Sequence, residues 1–275
     1  MLKKIYLEIT NVCNLSCTFC HKTKRKKHFL SEAEFTALAG KIREHTKYLY
    51  FHLMGEPLLH PHTGRFLEIA RDMGFNVTIA TNGVLIKEKE DELLRFPAYK
   101  ITFSLHSYEG NCLDVSLENY LEDIICFCRK AEKKGTICVL RLWNEGGSDS
   151  LNDRILSVLR ENFTFRENRK GFALSDRIYL ETAEMFSWPD KNAPIQNVSF
   201  CMGLRDHIGV LCDGSVVPCC LDSEGDITLG NLFNEELSDI ISSERAQNIY
   251  RGFSENRCSE DLCRRCQYAT RFTHK

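Results

Sequence analysis

The sequence has 275 residues, of which 43% are hydrophobic and 27% charged, a composition that can bury one large core and a smaller second one. The formal net charge of −2 at pH 7 provides no global positive field to hold a polyanion, which disfavours a nucleic-acid substrate. The sequence contains no signal-peptide-like run and no stretch of about 18 apolar residues, so we expect a cytoplasmic protein without membrane contact.

Strand and helix patterns alternate along the first two thirds of the sequence. Period-2 alternation predicts a first strand at residues 3–10, and Ser31 with Glu34 forms a capping box that starts the first helix. The pattern then repeats, with strands near 48–54, 75–81, 100–106, 136–143 and 177–182 and helices near 62–73, 86–95, 117–134 and 151–161. Because strands joined by helices pair in parallel, we predict an α/β fold, either an open doubly wound sheet or a full or partial barrel.

The remainder of the sequence has a different pattern. Residues 183–200 lose the alternation and contain Pro189 and Pro194, as expected of a linker. Asp213-Gly214 then predicts a hairpin turn, and a helical stretch near 235–250 precedes a cysteine-rich end.

Fourteen cysteines are the most informative part of the composition. In a secreted protein they would predict disulfides, whereas in a cytosolic one they favour thiolates that bind metals or clusters. Three of them, Cys13, Cys17 and Cys20, follow the first strand at C-x3-C-x2-C spacing, which predicts a metal or cluster site. A structural zinc loop is the alternative, although zinc normally takes four ligands and only His21 is a nearby candidate for the fourth.

This motif, with Phe19 in its aromatic position, resembles the C-x3-C-x-aromatic-C signature of radical S-adenosylmethionine enzymes. The resemblance implies that Cys13, Cys17 and Cys20 hold a [4Fe–4S] cluster whose open iron chelates S-adenosylmethionine. It also implies reductive cleavage of S-adenosylmethionine to a 5′-deoxyadenosyl radical, which abstracts hydrogen from the substrate. Such chemistry needs an electron donor, such as flavodoxin or ferredoxin.

Further motifs follow the later strands. Met54-Gly55-Glu56-Pro57 resembles the family's Gly-Gly-Glu-Pro motif, which meets the methionyl amino group, although a simple turn would use the same residues. Parallel folds place their sites at the carboxyl ends of strands, where the resemblance implies contacts to the ribose and carboxylate of S-adenosylmethionine. The residues predicted to bind this cofactor are Met54, Gly55, Glu56, Pro57, Thr81, Asn82, Ser104 and Arg141. His52 and His106 are either substrate acids or buried core histidines.

A second constellation lies near the carboxyl end. Gly214-x4-Cys219, the segment Gly230-Asn231-Leu232 and the final cysteine pair resemble the SPASM/Twitch extension of radical enzymes. The resemblance implies one auxiliary [4Fe–4S] cluster, for which Cys220 or Cys258 could replace one ligand, and a zinc ribbon is the alternative. The predicted auxiliary ligands are Cys201, Cys219, Cys263 and Cys266.

The other cysteines and one basic run have simpler interpretations. We expect Cys212 in the hairpin rather than on iron, and the run from Lys22 to Lys27 as a solvated loop, with an anionic substrate or acidic electron donor as the alternative. The cysteines expected to be buried packing residues are Cys112, Cys126, Cys128 and Cys138.

Together these resemblances imply a partial (β/α)6 TIM-like barrel over residues 1–185, a linker at 186–200 and a SPASM/Twitch-like domain at 201–275. The predicted function resembles that of a Twitch-containing aminocyclitol dehydrogenase, with a small polar substrate whose second electron passes to the fully ligated auxiliary cluster. The alternatives are a peptide- or protein-modifying maturase and a non-enzymatic iron–sulfur or zinc-binding module.

The two ends of the sequence bear on this choice. The first strand begins at about residue 3, which disfavours a peptide-recognition domain ahead of the barrel. The end Thr273-His274-Lys275 differs from the terminal Gly-Gly of the molybdopterin-pathway relatives, which disfavours that reaction.

Overall fold

A computed structural model describes residues 1–111 and 113–272 as strands and helices that alternate and then give way to a smaller cysteine-rich unit. The strands are β1 (Lys4–Leu7), β2 (Tyr48–Phe51), β3 (Asn76–Thr81), β4 (Lys100–Ser104), β5 (Ile137–Glu145), β6 (Arg166–Asn168), β7 (Gly171–Ala173), β8 (Ile178–Glu184), β9 (His207–Val210), β10 (Ser215–Val217) and β11 (Gly230–Asn231). The helices are α1 (Glu32–Ile42), α2 (Thr63–Asp72), α3 (Ile86–Arg95), α4 (Leu117–Lys133), α5 (Asn152–Asn162), α6 (Leu237–Ser242), α7 (Glu244–Ser254), α8 (Asp261–Arg264) and α9 (Gln267–Thr270). The six predicted strands and five predicted helices of the first part correspond to β1–β5, β8 and α1–α5.

All the strands belong to one sheet in the order β11-β10-β9-β1-β2-β3-β4-β5-β8-β7-β6. The strands from β9 to β8 in this order run parallel, and both ends of the sheet are completed by antiparallel hairpins. The sheet has two edges and does not close on itself, which confirms the α/β partial-barrel prediction.

The sheet has two chemically different faces, because side chains alternate along each strand. Phe51 of β2 lies 5.7 Å from Phe35 of α1, and Phe103 of β4 lies 6.1 Å from Phe127 of α4, between ring centroids, so one face packs against the helices. We call the opposite face the inner face. Its polar and charged side chains, with His52 just beyond β2, include Lys4, Tyr6, Tyr50, His52, Thr78, Lys100, Thr102, Ser104, Arg141, Glu181 and His207.

The structure corrects two predictions about secondary structure. The helix predicted near 235–250 is two helices, because Ser243 adopts an extended backbone conformation and its side chain accepts a hydrogen bond from Ala246 N at the start of α7. The β6–β7 hairpin was not predicted, because its three-residue strands are too short to show alternation and β6 is fully exposed.

The cysteines expected in the packing core divide into two groups. Cys128 and Cys138 are buried as predicted, but Cys126 is exposed and that prediction was wrong. Cys126 falls outside the three- and four-residue spacing that buries Leu121, Ile124 and Cys128 on α4. Cys112 lies outside the described residues, as do the terminal residues 273–275.

Within the described ranges, no helix is long and apolar enough to span a membrane.

Candidate cofactor sites

The loop between β1 and α1 carries the three cysteines of the amino-terminal motif. Each sulfur accepts a hydrogen bond from an N–H group: Leu15 N lies 3.4 Å from Cys13 Sγ, Asn111 Nδ2 3.0 Å from Cys17 Sγ and Lys22 N 3.4 Å from Cys20 Sγ. Hydrogen bonds of this kind stabilise the negative charge of a thiolate and tune a cluster that it holds. The donor set therefore fits the predicted iron–sulfur cluster.

Asn111 fixes the shape of this loop although sequence reasoning missed it. Its Oδ1 accepts a hydrogen bond from Ser16 N at 2.9 Å, while its Nδ2 donates to Cys17 Sγ and to the Ser107 carbonyl at 2.7 Å. The same turn places Gly110 against Phe19, where an added Cβ would lie 2.8 Å from the ring. No local pattern marks Asn111, because its partners in the cysteine loop, Ser16 and Cys17, are about ninety residues away in the sequence and only the fold brings them together.

The Met54-Gly55-Glu56-Pro57 segment packs directly on the start of the cysteine loop. Gly55 has a φ of +76°, and a Cβ there would lie 2.4 Å from the Thr10 carbonyl oxygen, so only glycine fits. Glu56 N donates to the Val12 carbonyl at 2.9 Å. These contacts show that the Met54-Gly55-Glu56-Pro57 segment holds the cysteine loop in place, independently of any contact that the segment makes with a ligand.

Glu56 connects the ends of β2 and β3 through its buried carboxylate. Oε1 accepts a hydrogen bond from Leu58 N at 2.9 Å, and Oε2 accepts one from Asn82 N at 2.8 Å. Burial raises the pKa of Glu56 to about 7, against the opposing effect of these bonds. The predicted contact to the methionyl amino group would use the remaining lone pairs and stays a prediction.

Asn82 joins the third strand to the cysteine loop. Its Nδ2 donates to Asn14 Oδ1 at 2.8 Å and lies 3.9 Å from Cys13 Sγ. Thr81 Oγ1 accepts from Gly83 N at 3.0 Å, which closes the turn after β3. The structure therefore brings Asn82 beside the cysteines, while Thr81 shapes the turn that holds it.

Ser104 and Arg141 are register partners at the ends of β4 and β5. Arg141 donates to Thr102 Oγ1 and stacks over the Trp143 ring at 4.8 Å, so its side chain extends along the inner face. Its Nε is buried and has no hydrogen-bond partner among the described residues. A buried donor of this kind is normally satisfied by a ligand or an ordered water.

His106 and His52 differ in how their ring nitrogens are satisfied. His106 Nδ1 donates to the Arg141 carbonyl at 3.1 Å, and burial lowers the pKa of His106 to about 4, as in a core histidine. His52 Nδ1 is buried without a partner in the described part of the chain. His52 therefore has a buried ring nitrogen that is still available to a ligand.

The four cysteines predicted as auxiliary ligands, Cys201, Cys219, Cys263 and Cys266, line one cavity. Burial is the main reason why the pKa values of Cys201, Cys219 and Cys266 are raised, to about 11 for Cys266. A thiolate without a positive partner would therefore be costly in this cavity. A cationic metal cluster would stabilise the thiolates, and the cavity therefore fits one. Among residues 1–111 and 113–272, no group of three or more Cys, His, Asp or Glu has the geometry of a single-ion site.

The two alternative ligands do not line this cavity. Cys220 turns onto the inner face and packs with Tyr6 and Leu53, and Cys258 lies beside Cys263 with its thiol 3.7 Å from the Glu260 carbonyl. This arrangement favours the four predicted auxiliary ligands that line the cavity over Cys220 and Cys258, and their assignment stays a prediction.

A buried ion pair, also missed by sequence reasoning, joins the cysteine loop to the carboxyl-terminal unit. Arg25 Nη2 lies 2.6 Å from Glu8 Oε1, and Arg25 Nε donates to the Ser223 carbonyl at 2.8 Å. Glu8 also accepts from Met54 N at 3.2 Å and from Cys212 N at 3.0 Å. Arg25 is the member of the basic run that is not solvated, whereas its lysines Lys22, Lys24, Lys26 and Lys27 are exposed as predicted.

We expect Glu8→Gln to lower the free energy of unfolding by about 3–5 kcal/mol, because it leaves the Arg25 charge buried and unpaired. Denaturant titration of the reconstituted protein measures this effect. The matched control is Glu32→Gln, which breaks an exposed pair with Arg65 and should cost about 1 kcal/mol or less. Equal losses for the two variants would show that the Glu8 pair has no special structural role.

The fold and the two cysteine-lined sites define a partial barrel built to hold two metal cofactors. Comparison with family models agrees: the model of the radical SAM superfamily matches residues 7–144, and the SPASM model, an iron–sulfur cluster-binding domain, matches residues 201–267. The chain belongs to the radical SAM superfamily. Its cofactors are accordingly a [4Fe–4S] cluster with S-adenosylmethionine and an auxiliary iron–sulfur cluster.

Individual relatives and solved structures match this chain at low identity. The sporulation killing factor maturation protein SkfB of Bacillus subtilis is 23% identical over 267 residues, which cover 87% of this chain and 64% of SkfB. The crystal structure of BtrN in complex with AdoMet and 2-DOIA has a TM-score of 0.62 and 19% identity, and covers 97% of this chain and 93% of BtrN. The crystal structure of Streptococcus suis SuiB has a TM-score of 0.64 at 13% identity, and the match covers 100% of this chain and 74% of the SuiB chain. The chain therefore spans less than two thirds of the length of SkfB.

Proposed function

We propose that this radical SAM enzyme is an oxidoreductase that abstracts hydrogen from a small polar metabolite and takes up the second substrate electron at its auxiliary site. The observation that carries the proposal is the inner face of the sheet. Its polar and charged side chains lie on parallel strands whose carboxyl ends are at the same edge of the sheet as the cysteine loop. A polar face of this kind fits a polar substrate better than an apolar one.

The protein's part in this reaction is to bind the cofactors and to orient them towards the substrate. When bound, the [4Fe–4S] cluster and S-adenosylmethionine supply a 5′-deoxyadenosyl radical. Cys13, Cys17 and Cys20 would hold that cluster, with Asn111 fixing the loop. The residues proposed to contact S-adenosylmethionine are Met54, Gly55, Glu56, Pro57, Thr81, Asn82, Ser104 and Arg141.

Four cysteines around the auxiliary cavity support a role in electron uptake. If Cys201, Cys219, Cys263 and Cys266 each hold one iron, no iron is left for the substrate. Full protein ligation therefore favours electron acceptance over substrate binding. We assign residues 1–185 to the barrel, 186–200 to the linker and 201–275 to the auxiliary domain, and we propose flavodoxin or ferredoxin as the electron donor.

The comparisons support two substrate classes. BtrN, which matches this chain over nearly the whole length of both, was solved with AdoMet and 2-DOIA, and this likeness favours a small ligand. SkfB, by its name a maturation protein, matches 87% of this chain and favours a peptide substrate as the second candidate.

Fractionated extract of the cells that make the protein separates these candidates. We expect the low-molecular-mass fraction to stimulate formation of 5′-deoxyadenosine by the reduced, reconstituted protein, and the stimulation to survive protease treatment. Stimulation that protease abolishes would overturn the small-metabolite proposal in favour of the peptide.

A further inference from the structure

Two lysines point onto the inner face below the predicted S-adenosylmethionine contacts. Lys4, the first residue of β1, places its Nζ 5.0 Å and 5.1 Å from the ring centroids of Tyr6 and Tyr50, so its ammonium group is directed along the inner face. Lys100, the first residue of β4, is the register partner of Thr78, which in turn pairs with Tyr50. Because partners in register share a face, the two lysines lie on the same face of the sheet, near its floor, with β2 and β3 between their strands.

These cations lack carboxylate partners. In the described residues, no ion pair involves Lys4, Lys100 or Arg141, although all three are largely removed from solvent. The nearby carboxylates offset these charges only in part: Asp206 lies 2.8 Å from Lys3 Nζ, and Glu181, the single carboxylate on the described strands of the inner face near Lys100 and Arg141, also lies 3.9 Å from Lys170 Nζ. Burial lowers the pKa of both Lys4 and Lys100, against the opposing effect of Cys220 on Lys4 and of Glu181 on Lys100, and neighbouring cations lower it further. The floor therefore holds an excess of partly desolvated positive charge, which favours an anion.

His52 adds an available hydrogen-bonding group on the same face, above the lysines: it follows Phe51, the register partner of Leu7, and so lies nearer the cysteine loop than Lys4. Its ring lies 5.4 Å from that of Tyr6, and its buried Nδ1 has no partner within the described ranges. Burial, together with the charges of Arg141 and Lys4, lowers the pKa of His52 to about 3, so the ring is neutral at pH 7. A neutral imidazole can donate one N–H to an oxyanion.

We propose that Lys4 and Lys100, with His52 above them on the side of the cysteine loop, bind an oxyanion of the substrate, a carboxylate or a phosphate, at the floor of the inner face. This inference rests on the proposed function and names its substrate class. Lys4 lies four residues before Glu8, or roughly 13 Å along the strand direction from the end that carries the cysteine loop. An anionic group at the floor would thus leave the rest of a small substrate directed towards S-adenosylmethionine, where hydrogen is abstracted.

Anion binding tests the site without catalysis. The reconstituted protein with S-adenosylmethionine bound is titrated with inorganic phosphate and with succinate, against chloride at equal ionic strength. Trp143 fluorescence is the signal, and Trp188→Phe removes the only other tryptophan. We expect saturable binding of at least one anion, with the tighter one identifying the anionic group as phosphate or carboxylate.

The variants locate the site. Lys4→Gln and Lys100→Gln should each weaken binding about ten- to a hundredfold, because each removes a charge-assisted bond, and Lys100→Arg should restore most of it. The matched control is Lys3→Gln, which removes the same charge from the adjacent exposed residue and should leave binding unchanged. The absence of saturable binding, or equal effects of Lys3→Gln and Lys4→Gln, would overturn the proposal.

Failure of this inference is distinguishable from failure of the proposed function. If protease-resistant extract stimulates the enzyme but neither anion binds, the oxyanion site is wrong and the metabolite oxidoreductase stands. If the stimulation is protease-sensitive, the small-metabolite function is wrong whatever the anion titration gives.

Discussion

Replacing Cys13, Cys17 and Cys20 together by alanine is expected to remove about half of the iron and all cleavage of S-adenosylmethionine. Two four-iron clusters give about eight irons per chain after anaerobic reconstitution, and the variant should keep about four. Loss of cleavage should be complete, because these cysteines are the only ligands proposed for the cluster that binds S-adenosylmethionine. Iron analysis and quantification of 5′-deoxyadenosine measure both effects.

Cys126→Ala is the control for this experiment, because Cys126 is an exposed thiol on α4 outside both sites. Its iron content and cleavage should match those of the unaltered protein. Full iron content in the triple variant would refute the ligand assignment. Stoichiometric zinc with almost no iron in the unaltered protein would contradict the iron–sulfur account itself.

Replacing Cys263 and Cys266 by alanine is expected to separate cleavage from oxidation. The variant should still form 5′-deoxyadenosine, because the amino-terminal cysteine loop and its contacts lie in a different segment of the chain. It should release little oxidised product, because the second substrate electron would have no acceptor. Substrate-dependent product formation, measured beside 5′-deoxyadenosine, gives the ratio that reports this uncoupling.

Two controls keep this second result interpretable. Loss of an auxiliary cluster can unfold a small domain, so the variant must retain the iron and the spectrum of the amino-terminal cluster. Cys258→Ala removes a thiol that does not line the auxiliary cavity and should keep full iron content. An unchanged product ratio in the folded double variant would reject electron uptake and leave a structural role for the cluster.

Most of the fold could be predicted from the sequence, because its signals are local. Alternation fixed β1–β5 and β8, and the Ser31–Glu34 capping box marked the start of α1. The pairing of β9 with β1 was not predictable, because it joins Lys4 to His207 across most of the chain. Periodicity specifies which residues form a strand but not which strand lies beside it.

The residues of the cofactor sites likewise fall into those that local sequence patterns reveal and those that only the fold brings together. Cysteine spacing and the Gly55-Glu56-Pro57 segment are contiguous motifs and could be recognised. Asn111 could not, because an isolated asparagine has no distinctive spacing and its bond to Cys17 exists only in the folded chain. The Glu8–Arg25 pair escaped for a related reason, since Arg25 stands in a basic run whose lysines are solvated.

The number of electrons held by the protein before and after turnover is the final test of the proposed oxidation. Cleavage of S-adenosylmethionine consumes one electron. A substrate oxidised by two electrons transfers one with its hydrogen atom to the 5′-deoxyadenosyl radical, and the substrate radical then returns the other to the protein as it loses a proton. Anaerobic oxidative titration after several turnovers should therefore recover all the electrons supplied at the start. Loss of one electron for every 5′-deoxyadenosine formed would contradict electron uptake at the auxiliary site and the dehydrogenase-type reaction built on it.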